Sequence, residues 1–376
     1  MRVIADANEF LEIEDVWNAL INKCSENPIF LSGFVEQFIE SYCSKGWAPL
    51  VLVISANKMT LGAAPLMTEK KFGIRFVRFL SKSWFSPDFI FDDQYRVTCI
   101  EHTLHFLFKT LRCQFVDLTL PAESPNLPIL EKKCKANGIY FCAKLGSWAD
   151  MGHCIIPVRH LWDDFEKLRG YNFRRRFKRL KRNLDQAGSW RVTCTEKGNE
   201  GSDVFERILD VERMSWKEAE RTRSGTQVDP DLSIFWRGAQ YTSRTESDFN
   251  WRVWFLELND QTLAYSMVLE YKETAFIVKT SYDERYKRLQ PGIYINNVAI
   301  RELFEKGKVR KIDWLTDLPF HRNWTSLCLP RVRVTMSRKG ILSHIMAHVM
   351  ASEYTRNISS NIPEPLLKKT PLISEL

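Results

Sequence analysis

The chain has 376 residues, of which 44% are hydrophobic and 12% aromatic, and its formal net charge is +8. This length predicts two domains or one large one, and this apolar content excludes a disordered or fibrous protein. No stretch approaches the roughly 18 apolar residues of a membrane helix, and residues 1–15 are acidic without a signal-peptide pattern. We therefore expect a cytoplasmic protein.

The cysteines indicate the redox state and the metal content. The nine cysteines are odd in number and scattered, and none has the C-x-x-C spacing. This pattern predicts reduced, mostly buried thiols and argues against a disulfide framework or a structural zinc site. The pairs His102/His105 and His344/His348 have helical spacing but no acidic or third ligand beside them. We expect no metal ion.

In chain order, two segments resemble each other, residues 48–66 and 251–269. Each is typical of an antiparallel hairpin, with an apolar strand, a tight polar turn and a second apolar strand. Such a repeat predicts two similar α/β halves. Helical patterns precede both hairpins, at residues 13–24, 34–42 and 203–219.

The other segments complete a mixed α/β (α+β) pattern in which helices flank a largely antiparallel sheet. We place a domain boundary near residue 160, which gives an N-terminal domain 1–160 and a C-terminal domain 161–356. Residues 161–190 connect the halves. The other predicted elements are helix 100–111, strand 115–120, strand 275–281, turn 282–291, helix 292–305, strands 311–315 and 331–336, helix 341–354 and a mobile tail 357–376.

Most of the net charge lies in residues 174–182, which hold seven cations and no anion, so the other residues sum to +1 (8 − 7). One local patch is unlike the broad basic surface of a duplex-DNA-binding protein. Apolar residues recur at the helical spacing i, i+4, i+7 and i+11, namely Phe173, Phe177, Leu180 and Leu184. The segment is therefore predicted to be a helix with a packed stripe and outward cations.

Two interpretations of this basic helix stay open. Its cations could pair with acidic neighbours on a solvated face. Alternatively, Arg175 and Arg179 could bind phosphates of a cofactor, of a phospholipid-linked substrate or of a tRNA acceptor end. Peripheral membrane contact or a calmodulin-target role fits less well, because the segment lies between two predicted folded halves.

The segment 282–294, with the pattern Tyr-Asp-x-x-Tyr-x-x-x-x-Pro-Gly, resembles the corresponding segment of CelD/BcsL-type acetyltransferases of the GNAT superfamily. Relatives of that family include the FemAB/FemX aminoacyltransferases. Four more segments agree in order: the strand 62–66, the basic helix, the segment 212–217 (Glu-Arg-Met-Ser-Trp-Lys) and the segment 313–324. The resemblance spans roughly residues 30–330 and implies two tandem GNAT-like domains, of which the N-terminal one is degenerate.

The resemblance also implies a site for acetyl-CoA or another acyl-CoA in the C-terminal domain. The pantetheine would pair with the edge of strand 275–281, and the pyrophosphate would meet the turn and helix start that follow. The usual loop Q/R-x-x-G-x-G/A is incomplete, since Leu289 and Tyr294 replace its first and last residues. The expected cofactor-binding residues are Lys279, Ser281, Lys287, Arg288, Gln290, Pro291, Gly292 and Ile293.

Catalysis needs a group that accepts the proton of the acceptor. Asp313 and His321 lie at the end of the next strand, and the ordinary pKa of histidine suits this role, although a surface-loop histidine is the alternative. The matched segments place Trp216, Lys217 and Trp324, with Arg175 and Arg179, on the substrate side. Trp216 alternatively only packs against the sheet.

Three hypotheses follow for the function. The first is an acyltransferase, N- or O-linking, that moves an acetyl or acyl group from acyl-CoA to a saccharide or cell-envelope precursor, as in polysaccharide biosynthesis. The second is a FemX-like transferase that takes an aminoacyl group from tRNA. The third is an inactive scaffold in polysaccharide biosynthesis, because the chain departs from the family pattern at Leu289, Tyr294, Asp317 and His321.

Overall fold

The computed structural model describes residues 1–43, 46–57, 59–71, 73–81, 85–145, 152–198, 203–215 and 230–338. They form one mixed sheet of fourteen strands with helices on both faces. The strand order is β1-β2-β3-β4-β6-β14-β8-β13-β12-β11-β10-β9, with β5 beside β3 and β7 beside β14. The strands are β1 (Arg2–Ile4), β2 (Ala48–Ala56), β3 (Met59–Lys71), β4 (Ile74–Phe79), β5 (Ile90–Phe91), β6 (Phe115–Pro121), β7 (Ile139–Leu145), β8 (Gly152–Pro157), β9 (Trp190–Glu196), β10 (Phe249–Leu258), β11 (Gln261–Tyr271), β12 (Thr274–Tyr282), β13 (Lys311–Asp313) and β14 (Cys328–Arg338).

The helices cover both faces of this sheet. They are α1 (Ala7–Leu11), α2 (Glu14–Cys24), α3 (Ser32–Cys43), α4 (Arg96–His105), α5 (Asn126–Ala136), α6 (Trp162–Arg169), α7 (Tyr171–Ala187), α8 (Val204–Arg213), α9 (Pro230–Thr245) and α10 (Pro291–Lys306). Short 3-10 helices Glu284–Leu289 and Pro319–Asn323 lie near the site described below. We call α7 the basic helix and α10 the Pro-Gly helix. No helix among the described residues is long and apolar enough to cross a membrane.

The two repeated hairpins form as the sequence predicts. β2 pairs antiparallel with β3, and β10 pairs antiparallel with β11. Both pairs have an irregularity just before the turn, at Ile54/Ser55 and at Leu256/Glu257. The second turn places Asn259 at φ 49° and Asp260 at φ 61°, a left-handed conformation that Asn and Asp tolerate better than most residues.

Three apolar clusters hold the layers together. The largest joins α1–α3 of the first half to α8 and α9 of the second half, over one face of the sheet. The second lies between the sheet and helices α6, the basic helix and the Pro-Gly helix. The third lies under α4 and α5. α3 and α9 meet closely, because a Cβ on Gly238 would lie 2.5 Å from the Phe34 ring.

The two halves also exchange strands. β8 precedes the basic helix but pairs with β13 of the second half. β14 belongs to the second half but pairs with β6, β7 and β8, which precede residue 160. The sheet is therefore continuous across residue 160, and our domain boundary there stays a prediction. Helix 341–354 and tail 357–376 lie outside the described residues.

One expectation about the cysteines is wrong. Cys154 of β8 and Cys328 of β14 face each other across the antiparallel pair and form a disulfide. The seven other cysteines are free, as predicted. The two partners are separated by 174 positions in the chain, so their pairing depends on the strand exchange and no local spacing could indicate it.

Candidate functional site

The sheet opens between β12 and β13. These neighbours run parallel and pair only through residues 274–276 and 311–313. β13 ends at Asp313, whereas β12 continues to Tyr282. Residues 277–282 therefore extend beyond the end of their partner. A strand edge that leaves its partner offers backbone groups to an extended ligand.

A β-bulge lies in the same part of β12. Met267 of β11 pairs with Lys279, and its neighbour Val268 pairs with Ile277, so Val278 is the extra residue. A bulge bends a strand and increases its twist, which turns the edge of β12 away from β13. The bulge and the early end of β13 together produce the opening, which we call the splay.

A helix begins where the splayed part of β12 ends. Gln290 adopts the left-handed conformation (φ 51°, ψ 50°), and Pro291 is the first residue of the Pro-Gly helix. The fixed φ of proline suits this position. A Cβ on Gly292 would lie 3.0 Å from the Tyr282 ring, so only a very small residue fits there without displacement. The positive end of the helix dipole therefore lies beside the splay.

The cations of this turn have different partners. Lys287 pairs with Glu284 at 2.9 Å, and Arg285 pairs with the buried Asp283 at 2.5 Å. Arg288 is exposed and forms no ion pair among the described residues. Among the described residues, Arg288 thus has no competing carboxylate and is available to an anion.

Arg176 connects the turn to the basic helix. Its guanidinium donates to Gln290 Oε1 at 2.9 Å and to Asn323 Oδ1. The side chain of Gln290, which we expected to bind a cofactor, is therefore held by Arg176. Ile293, another expected cofactor residue, donates its N–H to the Gln290 carbonyl at 3.1 Å. The basic helix, the turn and the 3-10 helix Pro319–Asn323 thus form one connected group.

The outward cations of the basic helix have no acidic partner within the described ranges of the chain. Phe173, Phe177, Leu180 and Leu184 are buried, as the periodicity predicts. Among the described residues, none of the six exposed cations forms an ion pair: Arg174, Arg175, Lys178, Arg179, Lys181 and Arg182. No acidic residue of the described ranges neutralises this face, which favours the interpretation in which its cations bind phosphates.

His321 is buried, with 2% of its surface exposed, so the alternative of a surface-loop histidine is wrong. Its ring stacks on Trp314 at 4.3 Å, and its Nδ1 lies 2.8 Å from the Thr316 carbonyl oxygen. Burial lowers the pKa of His321 to about 4. The imidazole is neutral at neutral pH, and its Nδ1 also lies 3.2 Å from the Leu318 N–H, which donates to it.

Asp313 bonds to a residue that the sequence analysis did not select. His153 of β8 places Nδ1 2.7 Å from Asp313 Oδ2, and the other carboxylate oxygen accepts from the Leu315 N–H at 2.7 Å. Burial alone would lower the pKa of His153, but the Asp313 carboxylate raises it to about 9. Burial alone would raise the pKa of Asp313, but the charge of His153 holds it below its usual value. Asp313 therefore belongs to a buried ion pair.

A second buried carboxylate, Glu212, lies on α8. Glu212 is 1% exposed and accepts a hydrogen bond from the Tyr265 hydroxyl at 2.7 Å. Tyr265 is directly opposite Ser281 in the β11–β12 pair. Ser281 Oγ is buried and has no hydrogen-bond partner among the described residues. Glu212, Tyr265 and Ser281 thus form a polar group beside the splayed part of β12.

The remaining expected residues lie as follows. Lys279 is half-buried on β12 and opposite Met267. Trp324 is buried and donates its indole N–H to Asn297 Oδ1 at 3.1 Å. Trp216 and Lys217 lie outside the described residues. Glu212 was missed as a site residue, although it begins the 212–217 segment that carries part of the family resemblance.

Within the described part of the chain, one cluster of three metal-ligand side chains is found, Cys154, Asp317 and Cys328. Both sulfurs are joined in the disulfide and are not thiolate ligands. Asp317 also accepts from Arg322 at 2.7 Å. The cluster in this state has no donor set for a metal ion.

Solved structures resemble this chain over most of its length. FemX aligns with a TM-score of 0.57 and 10% identity, covering 85% of this chain and 95% of FemX. The C-terminal domain of an Agrobacterium fabrum protein described as a lysylphosphatidylglycerol synthetase aligns with a TM-score of 0.54 and 11% identity, covering 91% and 96%. L-PGS from Bacillus licheniformis aligns with a TM-score of 0.51 and 9% identity, covering 91% and 96%. At these identities the likeness shows the fold alone.

No curated protein sequence matches the chain. Residues 171–322 match the family model described as "Acetyltransferase (GNAT) domain". This segment begins with the basic helix and includes the splay, the Pro-Gly helix and His321. The fold is a mixed α/β arrangement like that of FemX, and residues 171–322 match the model of a GNAT acetyltransferase domain.

Proposed function

We propose that the protein transfers an acyl group from acyl-CoA to a hydroxyl or amine of a saccharide or cell-envelope precursor. The observation that carries this proposal is the splay, in which a bulged strand leaves its partner beside the start of the Pro-Gly helix. Pantetheine resembles a peptide and can pair with such an edge, while a helix start attracts pyrophosphate. We also propose that the substrate specificity is of the CelD/BcsL type.

The residues divide the donor site into two parts. Arg288 and the N-terminus of the Pro-Gly helix would bind the phosphates of the donor. Backbone groups of residues 277–282 would hold the pantetheine, and an N–H there would stabilise the developing oxyanion of the thioester. Attack by the acceptor forms the new ester or amide bond, and CoA leaves as the thiol.

We propose Glu212, in preference to His321, as the group that accepts the acceptor's proton. Glu212 lies with Tyr265 on the α8 face of the sheet, whereas His321 packs among the aromatic residues under the Pro-Gly helix. Burial also makes His321 a weak base, with a pKa of about 4. The Pro-Gly helix, which would bind the donor phosphates, lies on the opposite face of the sheet from Glu212. Glu212 can therefore reach an acceptor that enters from the α8 face.

The donor site is tested by thermal-shift titration with CoA and acetyl-CoA. Wild type should show a saturable rise in melting temperature, because a ligand that binds only the native state stabilises it. Arg288→Gln should weaken the effect, and Gly292→Trp should abolish it while the unliganded variant still melts cooperatively. Lys308→Gln, which removes an exposed cation after the Pro-Gly helix, is the control. No rise for wild type would contradict an acyl-CoA donor.

The proposed base is tested by release of the CoA thiol in the presence of candidate saccharide acceptors. Glu212→Gln should retain the thermal shift and lose most of the acceptor-dependent release, by about 10²-fold or more. Glu206→Gln, an exposed position on the same helix, should leave both unchanged. Loss of release in His321→Gln but not in Glu212→Gln would reverse the assignment.

An aminoacyl-tRNA donor is the second candidate. The exposed cations of the basic helix, which form no ion pair with any described residue, favour it, because such a surface binds polyphosphates. The solved structures named FemX and lysylphosphatidylglycerol synthetase share this fold. Binding of tRNA that falls steeply between low and moderate salt, together with no CoA-induced shift, would favour this donor. Binding of neither donor would favour a scaffold.

A further inference from the structure

The basic helix presents a row of cations to solvent, and none of them forms an ion pair with a residue that the structure describes. Tyr171, Arg175, Lys178 and Arg182 recur at i, i+4, i+7 and i+11, so they share one face of the helix. Each is exposed, and the opposite face is buried. Residues 161–182 together carry nine cations and three anions, a net charge of +6 (9 − 3). This face therefore attracts an anionic partner.

Exposed apolar side chains lie at one end of the same segment. Leu161 and Leu168 are each 74% exposed, and Tyr171 is 68% exposed. They are the three most exposed large hydrophobic residues of the described part of the chain, and all lie within residues 161–171. Single exposed apolar residues need no explanation, but such a concentration marks an interaction surface.

The two features together distinguish between anionic partners. The phosphates of a nucleic acid would gain from the cations but not from exposed leucines. A bilayer with anionic lipids gains from both, because the cations bind the charged headgroups while the apolar side chains enter the interface. The strength of such binding increases with both the buried apolar area and the attraction to anionic lipids.

We propose that the surface formed by Leu161, Leu168, Tyr171 and the six exposed cations of the basic helix docks the protein on an anionic lipid bilayer. We call it the bilayer-docking surface. This proposal does not depend on the proposed acyl transfer. From the sequence, membrane contact fitted less well because the segment lies between two predicted folded halves, and the exposure of Leu161 and Leu168 is seen only in the structure.

Docking would place the bilayer beside the candidate site. Arg176, on the inward side of the basic helix, bonds to Gln290 at the start of the Pro-Gly helix. Headgroups that contact the basic helix would therefore lie close to the proposed donor phosphates. If the acyl transfer proposed above is correct, this arrangement suits an acceptor carried by a membrane lipid.

The test is cosedimentation of the full chain with vesicles of phosphatidylcholine, with and without phosphatidylglycerol. Wild type should bind the anionic vesicles, and binding should decrease as salt increases. The triple variant Arg175→Gln/Lys178→Gln/Arg182→Gln should bind at least about tenfold more weakly, because each cation near the surface contributes. Lys109→Gln/Lys132→Gln/Lys308→Gln removes the same charge from exposed sites elsewhere and should bind like wild type.

A second variant separates lipid from nucleic acid. Leu161→Ser/Leu168→Ser keeps every charge and should still weaken vesicle binding by about tenfold or more. If this variant binds vesicles like wild type, the apolar part of the proposal is wrong. If the protein binds tRNA tightly but no anionic vesicles, the surface serves a nucleic acid and the proposal is overturned. The proposal would also be contradicted if vesicle binding fell equally in the triple variant of the basic helix and in the triple lysine control.

Discussion

His153 and Asp313 form a buried ion pair across β8 and β13, with His153 Nδ1 2.7 Å from Asp313 Oδ2. Asp313 is the last residue of β13 before the splay, so this pair fixes the point at which β12 loses its neighbour. β8 belongs to the part of the chain before the basic helix, whereas β13 follows the Pro-Gly helix. The pair therefore links the two halves of the protein at the site.

Loss of the histidine should destabilise the fold strongly. His153→Ala leaves the Asp313 carboxylate buried without its counter-charge, which costs about 3–5 kcal/mol. The control is His160→Ala, an exposed position with no such partner among the described residues, which should change stability by less than about 0.5 kcal/mol. Denaturant unfolding measures both. Equal stability of the two variants would contradict a native ion pair.

The two buried histidines should give opposite dependences of stability on pH. The folded pKa of His153 is about 9, above its unfolded value of about 6.5, so its contribution is complete below about pH 6.5 and lost as the pH rises through about 9. The folded pKa of His321 is about 4, so its contribution is present above about pH 6.5 and lost as the pH falls towards 4.

Unfolding free energies measured across this range check the signs. His153→Gln should flatten the loss of stability on the alkaline side, and His321→Gln should flatten the loss on the acid side. If a variant instead reduces the loss of unfolding free energy at the opposite end of the pH range, the charge state assigned here to its histidine is wrong.

Adjacent arginines of the basic helix should differ in their effect on stability. Arg176→Ala removes the bonds to Gln290 and Asn323 and should cost about 1–3 kcal/mol, because charged hydrogen bonds are lost from a half-buried site. Arg175→Ala changes an exposed side chain and should cost less than about 0.5 kcal/mol. Thermal melting measures the loss of stability in both variants. An equal loss would show that Arg176 lies on the outer face of the basic helix.

The number of reactive thiols tests the disulfide. With Cys154 and Cys328 joined, the denatured, unreduced protein should react with a thiol reagent at seven cysteines, and at nine after reduction. The double variant Cys154→Ser/Cys328→Ser should give seven in both conditions. Nine reactive thiols in unreduced wild type would contradict the disulfide and restore the expectation made from the sequence.

Local patterns predicted the elements of the site well. Strand 275–281 and helix 292–305 agree with β12 and the Pro-Gly helix to within one residue at each end. An apolar run marks the strand and the Pro-Gly pair marks the start of the helix. Both signals come from neighbouring residues, so a single sequence displays them. The buried stripe of the basic helix follows from periodicity for the same reason.

Long-range relationships could not be predicted in this way. His153 and Asp313 are separated by 160 positions, and β14 pairs with β6 across more than half of the chain. Helix α9 was not predicted, and its Gly238, a weak helix former, is used for close packing against Phe34. Such positions are determined by tertiary packing, which one sequence does not display.

The splay is tested most directly by amide hydrogen exchange of residues 277–282, with and without saturating acetyl-CoA. If the donor pairs with the edge of β12, exchange in this segment should become slower, whereas exchange in the outer strand β9 (Trp190–Glu196) should not change. Unchanged exchange in residues 277–282, at concentrations where acetyl-CoA raises the melting temperature, would show that the donor binds elsewhere and would contradict the account.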